Sequence, residues 1–341
     1  MGDAAPRAAC WLTPDQAPVV SRVLAAAGIV PALAGSPEPS QSSQSARAIG
    51  AELADDLRGV LTGGAVDLVL IAAPGVFGHI DIDQDLTALQ LARQRAVPVA
   101  TTEPVPAQAM ELAGSNWVEA LENGSLGELI RFVPRTRRTR AIDELHAALE
   151  TFGVARTGSL RMHGPSTLAS LGARLFDAMD LTRTLMGVPE TVDACVVTPA
   201  SGRGLHILPG ESLRGLSGDL TAHLRFADGR SLALHLSDQT PRTGMDLRLF
   251  GPEGTITLTP ERLVWLHASG EPDETVIATT DDEPGESALA TQLANLCAGV
   301  GPGHAPIDYP AVLAMTHAAL LSCRTGQGES PETIRRLMRS A

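Results

Sequence analysis

Three side chains in this sequence could carry out acid–base chemistry if the fold brought them together: Glu103, His163 and Arg174. A carboxylate or an imidazole can act as a base and a guanidinium as an anion clamp, which suits proton abstraction or elimination without a nicotinamide cofactor. A purely structural salt bridge between Glu103 and Arg174 is the alternative interpretation. The chain contains no lysine, so neither a lysine base nor a Schiff base is available.

Glu103 must be held in place by the secondary structure around it. In the first part of the sequence, short apolar runs typical of strands alternate with helical patterns. Residues 8–12 and 66–74 predict strands, and the second is the near-continuous apolar run typical of a parallel sheet. Residues 97–108 predict a further strand that ends in a turn carrying Glu103. These patterns predict a Rossmann-like, doubly wound α/β domain over residues 1–135, with its ligand crevice at the carboxyl ends of the strands.

The pattern changes after residue 160. A long helix over residues 166–186 precedes several strand patterns, among them a hairpin with an Asp228-Gly229 turn and another that turns at residues 251–254. Helical patterns close the chain. Residues 136–341 are therefore predicted to form an α+β domain with an open, mostly antiparallel sheet and C-terminal helices.

Two other segments have a predicted conformation but no predicted role. Residues 36–45, SPEPSQSSQS, form the one low-complexity segment and are predicted to be a flexible surface loop. Residues 107–121 predict a helix. The cysteines lack C-x-x-C spacing and are interpreted as reduced core thiols. They are Cys10, Cys195, Cys297 and Cys323.

Composition limits the classes of function. A formal net charge of -13 argues against a nucleic-acid partner, because binding the phosphate backbone requires clustered cations. The arginine cluster is interpreted as a solvated turn or a salt-bridge set, with an anion or substrate site as the alternative. It comprises Arg135, Arg137, Arg138 and Arg140. Without a signal-peptide pattern or a membrane-spanning apolar run, the chain is predicted to be cytoplasmic, with no membrane partner.

Several stretches, in this order, resemble parts of the Gfo/Idh/MocA oxidoreductase family. They are DLVLIAAP, TTEPVPAQ at the family's Glu-Lys-Pro loop, GPSTLASLGARLFDAMDLTRTLMG at its catalytic helix, LRLFGPEGTITL at a late hairpin and HAPIDYPAVLAMTHAALLSCRTGQ at its closing helix. The resemblance spans nearly the full chain. It implies a dinucleotide-binding domain followed by a substrate and oligomerisation domain, and an NAD(P)-dependent sugar or cyclitol dehydrogenase activity.

The positions that resemble the family's cofactor site carry different residues. The turn after the first strand reads WLTPDQAPVV, with Thr13 and Asp15 where the family places a G-x-G-x-x-G turn. Prolines remove amide donors and a carboxylate repels a diphosphate. Ser36 stands at the position of the ribose-binding acid, while Pro74 and His79 match cofactor-side positions at and just after the end of the strand predicted over residues 66–74.

The positions that resemble the family's catalytic residues also differ. Aligned on Pro104, the chain has Glu103 where the family has its lysine, which reverses the charge. Thr167, Ser170, Arg174 and Asp177 share one face of the predicted helix. Ser170 and Arg174 match the family's aspartate and catalytic histidine, and Asp177 alone is retained. An arginine stays protonated near neutrality, so Arg174 is a poor proton acceptor.

These replacements favour a protein that lacks catalysis, binds no NAD(P) and acts as a binding or partner subunit. It would pair as a homo-oligomer, or as a hetero-oligomer with an active relative, through open-sheet residues within 220–237, or would bind a sugar-type ligand. Two alternatives stay open: an NAD(P)-dependent sugar or cyclitol oxidoreductase with an atypical cofactor loop, and a cofactor-independent acid/base enzyme that uses Glu103, Arg174 and His163 on a sugar acid. The histidine spacing predicts no metal site.

Overall fold

The chain divides into two units, each built around its own β-sheet. A computed structural model describes residues 4–112, 117, 126–198, 209–210, 212–277, 285–300 and 306–340. The first unit comprises Met1–Pro134 and Leu289–Pro306, and the second comprises Arg135–Ala288 and Ile307–Ser340.

A parallel six-stranded sheet forms the centre of the first unit. Its strands are β1 (Arg7–Trp11), β2 (Val30–Gly35), β3 (Glu52–Leu53), β4 (Leu68–Ile71), β5 (Val99–Thr101) and β6 (Arg131–Phe132). They lie in the order β3-β2-β1-β4-β5-β6, and every pair is parallel. All carboxyl ends therefore meet at one edge, and the strand order reverses between β1 and β4. This topological switch point is where open α/β sheets bind ligands.

Helices cover the sheet and give the unit its core. They are α1 (Ala17–Ala26), α2 (Pro39–Ile49), α3 (Leu57–Gly63), α4 (Ile82–Gln94) and the short α5 (Ala109–Leu112) and α6 (Leu126–Leu129). Apolar residues of α1 and α2 pack on β1 and β4, together with Leu289 and Leu293 from the distant segment. Most of the predicted helix at residues 107–121 lies outside the described residues.

The prediction of a flexible loop over residues 36–45 is wrong, because α2 begins at Pro39. Proline suits the first turn of a helix, and Gly50 ends the helix at a φ of 73°. The buried stripe of α2 carries Ser42 and Ser45, which the apolar-periodicity test overlooks. The Ser45 hydroxyl donates to the Leu12 carbonyl at 3.0 Å, so this buried polar group has a partner.

The second unit holds an eight-stranded mixed sheet, preceded by α7 (Arg140–Phe152). Its strands are β7 (Thr157–Pro165), β8 (Thr191–Val197), β9 (Asp219–Arg225), β10 (Ser231–Ser237), β11 (Gln239–Gly251), β12 (Gly254–Thr259), β13 (Arg262–His267) and β14 (Pro272–Val276). The order is β14-β13-β12-β11-β7-β10-β9-β8. Among the described strands of this second sheet, only β7 and β10 pair in parallel. Both predicted hairpins are confirmed.

Four helices complete the two units. They are α8 (Leu171–Met186), α9 (Glu286–Cys297), α10 (Tyr309–Thr325) and α11 (Pro331–Ser340). The helix predicted over residues 166–186 begins later than expected, at Leu171, so Thr167 is not part of it. Most residues of α8 are buried. In the part of the chain that the structure describes, no helix is long and apolar enough to cross a bilayer.

Side chains of the second sheet alternate between a buried face and an open face. On β9, Leu220, Ala222 and Leu224 are buried, whereas Thr221 and His223 are exposed. The same alternation exposes Cys195 on β8, so its interpretation as a core thiol is wrong. Of the four free cysteines only Cys10 is fully buried, and burial raises its pKa to about 12.

Both outer strands of the second sheet are protected. Val192 of β8 exchanges two backbone hydrogen bonds with Glu329, at 2.8 and 2.9 Å. The Ala194 amide donates to the Ser322 hydroxyl at 2.9 Å. At the other end, β14 is fully exposed and carries Pro272, Asp273 and Glu274.

Substitution of Gly35, at the end of β2, tests the packing of the first unit. A Cβ atom there would lie 2.2 Å from the Trp11 ring and 2.3 Å from the Ala54 carbonyl oxygen. We expect Gly35→Ala to lower the free energy of unfolding by about 1–3 kcal/mol, because a backbone oxygen cannot move aside cheaply. Gly63→Ala, whose Cβ meets nothing within 4 Å, is the control and should be neutral or stabilising. Urea denaturation measures both, and equal effects would contradict the packing argument.

Candidate functional site

The cofactor-side candidates of the first unit all follow carboxyl ends of its parallel strands. Thr13 and Asp15 follow β1, Ser36 follows β2, and Pro74 and His79 follow β4. Glu103 follows β5. The topology therefore gathers these residues at the ligand-binding edge of the sheet.

In the turn after β1, most backbone amides donate hydrogen bonds to other groups of the same turn. The Thr13 amide donates to the Gln16 side-chain carbonyl at 3.0 Å, and the Gln16 amide donates to the Thr13 carbonyl at 3.1 Å. The Ala17 amide donates to the Pro14 carbonyl, and both Pro14 and Pro18 lack an amide hydrogen. The remaining amide in this stretch belongs to Asp15, whose exposed side chain is a carboxylate.

Direct contacts connect the loops on either side of the switch point. The Gln16 side-chain amide donates to the Ala72 carbonyl at 3.1 Å, which ties the loop after β1 to the loop after β4. Pro37, after β2, packs so closely on Gly75 that a Cβ there would lie 2.4 Å from the proline Cβ. The loops at this edge are therefore joined by direct contacts.

Ser36 is also occupied within the protein. It is buried, its hydroxyl accepts from the Glu38 amide at 3.3 Å, and its carbonyl oxygen accepts from Ser42 at 3.5 Å. A ribose-binding carboxylate would need to project from this position. Together with the closed turn, this means that the residues present do not fit a dinucleotide held in the usual way by a glycine-rich turn.

His79 forms the best-defined polar pair at this edge. Its Nδ1 lies 2.7 Å from Oε1 of Glu111, which is buried, while the His79 side chain is 45% exposed. The other Glu111 oxygen accepts from the Ala107 amide at 2.8 Å. A buried carboxylate thus fixes the orientation of a partly exposed imidazole, as in many acid–base sites.

Glu103 sits in a tight polar turn. Its amide donates to the Thr101 hydroxyl at 3.1 Å, and that hydroxyl donates to the Glu103 carbonyl at 2.6 Å. Thr102 is buried, and its amide donates to the Ile71 carbonyl at 3.2 Å. The backbone of the turn is therefore well fixed, and the Glu103 side chain is partly buried.

In the second unit, the residues that match the family's catalytic pair have structural partners. Ser170 is the N-cap of α8, and its hydroxyl accepts from the Ala173 amide at 3.0 Å. Arg174 is buried, and its Nη2 donates to the Pro165 carbonyl at 3.0 Å. These contacts anchor the start of α8 to the end of β7.

His163 does not converge with Arg174, contrary to the sequence-based hypothesis. Arg174 Nη2 faces Gly164, where a Cβ would lie 2.7 Å away, whereas the His163 ring packs on Gly244. Consecutive residues of a strand project to opposite faces. His163 therefore lies on the open face of the sheet and Arg174 on the buried face.

Asp177 is buried beside a second buried carboxylate. It accepts from the Thr136 amide at 3.0 Å, and burial raises its pKa to about 6. Asp180 pairs with Arg137 at 3.0 Å, with side-chain exposures of 0% and 7%. Burial raises the pKa of Asp180 despite this arginine. Arg137 is thus part of a buried salt bridge, in keeping with the structural interpretation of the arginine cluster.

Sequence reasoning missed Gln16 and Glu111. A signal for Gln16 was present, because Thr13 and Gln16 have the S/T-x-x-E/Q spacing of a capping box. Glu111 lies 32 residues from His79, and no local pattern connects them. Among the described residues, no group of three His, Cys, Asp or Glu side chains could hold a metal ion.

The fold is shared with solved sugar and cyclitol dehydrogenases. A levoglucosan dehydrogenase in complex with NADH and levoglucosan is 14% identical with a TM-score of 0.68, covering 95% of this chain and 98% of its own. A UDP-N-acetylglucosamine 3-dehydrogenase from Acidithiobacillus ferrooxidans is 17% identical, with a TM-score of 0.61 and coverages of 95% and 98%. A putative myo-inositol dehydrogenase from Sinorhizobium meliloti 1021 is 13% identical, with a TM-score of 0.64 and coverages of 95% and 99%.

Sequence comparisons find no counterpart. No protein-family model matches the chain, and no curated protein matches it significantly. The structural similarity nevertheless extends over almost the whole chain. The predicted fold, a Rossmann-like unit followed by an α+β unit with an open sheet, is therefore confirmed.

Asp177 should give the protein a specific pH dependence. Between the unfolded pKa near 4 and the folded value of about 6, the folded state holds a proton that the unfolded state has lost. The contribution of this proton to the free energy of unfolding is fully present below about pH 4 and is lost as the pH rises through 6. Relative to Asp177→Asn, the wild type should lose about 2–3 kcal/mol of unfolding free energy between about pH 4 and pH 7. Urea denaturation across this range tests it, with Asp273→Asn as the exposed-carboxylate control.

The buried salt bridge gives a second prediction. Arg137→Ala leaves the Asp180 carboxylate buried without its cation and should cost about 3–5 kcal/mol of unfolding free energy. Arg140→Ala is the control, since Arg140 is 66% exposed and lies 3.6 Å from Glu144, and it should cost less than about 0.5 kcal/mol. Chemical denaturation compares the two variants. A similar small loss in both would show that Arg137 is not structurally important.

Proposed function

We propose that this chain is a divergent member of the Gfo/Idh/MocA family that acts by binding a ligand or a partner and has lost hydride transfer. The observation that carries the proposal is the turn after β1, in which the amides of Thr13, Gln16 and Ala17 are engaged within the turn. A diphosphate needs such amides pointing outward at the helix start. Asp15 adds a negative charge at the same turn.

The replaced catalytic positions support the same proposal. Arg174 and Ser170 have hydrogen-bond partners that stabilise α8, and neither suits removal of a hydroxyl proton. The chain has no lysine to stand in for the one replaced by Glu103. A retained scaffold with these substitutions is better suited to binding than to oxidation.

The proposed ligand is of the sugar type, and the proposed partner surface is the open face of the second sheet. The sugar assignment follows the solved dehydrogenases that share the fold, several of which are named for sugar or cyclitol substrates. The open face presents polar residues such as Arg161, His223 and His235. A second copy or an active relative is the proposed occupant.

The second candidate is an NAD(P)-dependent sugar or cyclitol oxidoreductase with an atypical cofactor loop. The comparisons favour it, because structures of the same fold were solved with NADH and levoglucosan or with NAD. Under this candidate the dinucleotide would have to approach the edge of the sheet without a glycine-rich turn. The His79–Glu111 pair, which lies at the same edge of the sheet, would then be a candidate acid–base group.

Calorimetric titration with NAD⁺, NADH, NADP⁺ and NADPH separates the two candidates. We expect no binding at micromolar concentrations, because the donors of the β1 turn are engaged and its carboxylate repels phosphate. A levoglucosan dehydrogenase titrated under the same conditions serves as the positive control. Sedimentation of the same sample gives its oligomeric mass.

Gln16→Ala makes the experiment more specific. This variant removes the link from the β1 turn to Ala72 while leaving the sheet unchanged. Micromolar binding by the wild type would overturn the first candidate and lead to a screen of sugars and cyclitols for oxidation. Binding that appears only in Gln16→Ala would instead support closure of the turn as the cause of the loss.

A further inference from the structure

A pocket opens on the second unit where β8, β9 and β10 lie side by side. Its volume is about 500 Å³, which is within the range of small-molecule sites. Its polar lining comes from Glu190, Thr191, His223, Arg225, Arg230 and Ser231. Of the residues named for the proposed function, only His223 on the open sheet face also lines it. None of the residues that match the family's cofactor or catalytic positions lines the pocket, so a ligand bound here would not depend on them.

A row of side chains crosses the floor of the pocket. Arg225 of β9 lies directly opposite Thr191 of β8 on one side and Ser231 of β10 on the other. Residues paired in this way have Cβ atoms about 5 Å apart and project to the same face. Arg225 therefore has a hydroxyl-bearing neighbour on each side, and the Ser231 hydroxyl lies 3.1 Å from that of Thr157.

Arg225 is the cation available to a ligand. In the ranges that the structure describes, its side chain has neither an ion-pair nor a hydrogen-bond partner, and its Nη2 lies near the backbone of Gly328. Because Arg225 is exposed, it can bind an incoming anion without breaking a protein contact.

Arg230 supplies a second, fixed guanidinium. Its Nε donates to Asp228 at 2.7 Å, its Nη2 donates to the Met186 carbonyl at 3.0 Å, and its centre lies 5.2 Å from the Phe226 ring centroid. These contacts hold the wall of the pocket in place. The pocket lining thus includes two guanidinium groups and one carboxylate, that of Glu190, while Asp228 neutralises Arg230. Arg225 is the arginine of the lining without an ion-pair partner among the described residues.

We propose that this pocket binds the phosphoryl group of a small phosphorylated molecule. The planar guanidinium of Arg225 makes paired hydrogen bonds to two phosphate oxygens, and the hydroxyls of Thr191 and Ser231 donate to the same group. His223, two residues before Arg225 on the same face, lies beside the remainder of the ligand. The remaining volume accommodates a body of sugar size.

Calorimetric titration at low ionic strength tests the proposal with four probes: inorganic phosphate, glucose 6-phosphate, glucose and gluconate. Both phosphates should bind, whereas glucose should not. Arg225→Gln should weaken phosphate binding about tenfold or more, because charge-assisted hydrogen bonds are lost. Thr191→Val keeps the charge and should cause a smaller loss, so the proposal can be tested even if Arg225→Gln is poorly folded.

Arg161→Gln is the matched control, since Arg161 is exposed on the same sheet face but does not line the pocket. It should bind phosphate like the wild type. Equal weakening in both arginine variants, or no phosphate binding by the wild type at millimolar concentration, would overturn the proposal. Gluconate binding as tightly as glucose 6-phosphate would overturn the phosphoryl assignment. A changed oligomeric mass in Arg225→Gln without phosphate binding by the wild type would make Arg225 a protein contact instead.

Discussion

The hydrogen bond from the Gln16 side chain to the Ala72 carbonyl is the constraint on which the first unit's ligand-binding edge depends. It joins the loops after β1 and β4, at the place where the strand order reverses and open α/β sheets bind their ligands. The same glutamine receives the Thr13 amide, so one side chain both caps the turn and bridges the switch point. A turn built this way is stable without a ligand, whereas a glycine-rich turn leaves amides that a diphosphate satisfies.

The second unit is organised around buried charges in place of a catalytic set. Asp177 and Asp180 project from one buried helix, and their partners come from the segment that begins this unit, through Thr136 and Arg137. Arg174 connects the same helix to the end of β7. The helix that resembles a catalytic element is therefore held by polar contacts along much of its length.

Periodicity and order of elements were enough to predict the fold, because long apolar runs and Gly-containing turns are local signals. The parallel strand at residues 66–74 and the Asp228-Gly229 hairpin are clear examples. The serine-rich helix α2 was missed because its buried stripe is polar and depends on a hydrogen bond to Leu12 from elsewhere in the sheet. The positions of Ser170 and Arg174 could be assigned, but their partners could not, since these depend on how α8 meets β7. That His163 and Arg174 lie on opposite faces of the sheet could not be predicted, because this depends on which residues of β7 point to the open face and which residue Arg174 packs against.

The two protected edges of the second sheet limit how the protein can associate. A sheet normally grows by adding a strand to an open edge, where unpaired amides and carbonyls act as a template. Here β8 already gives backbone groups to Glu329 and Ser322, and β14 presents a proline and two carboxylates. Edge-to-edge pairing and continuous fibre growth are disfavoured at both ends. An assembly that uses this sheet would therefore have to stack on its open face, and two copies stacked in that way leave no further sheet face open for growth.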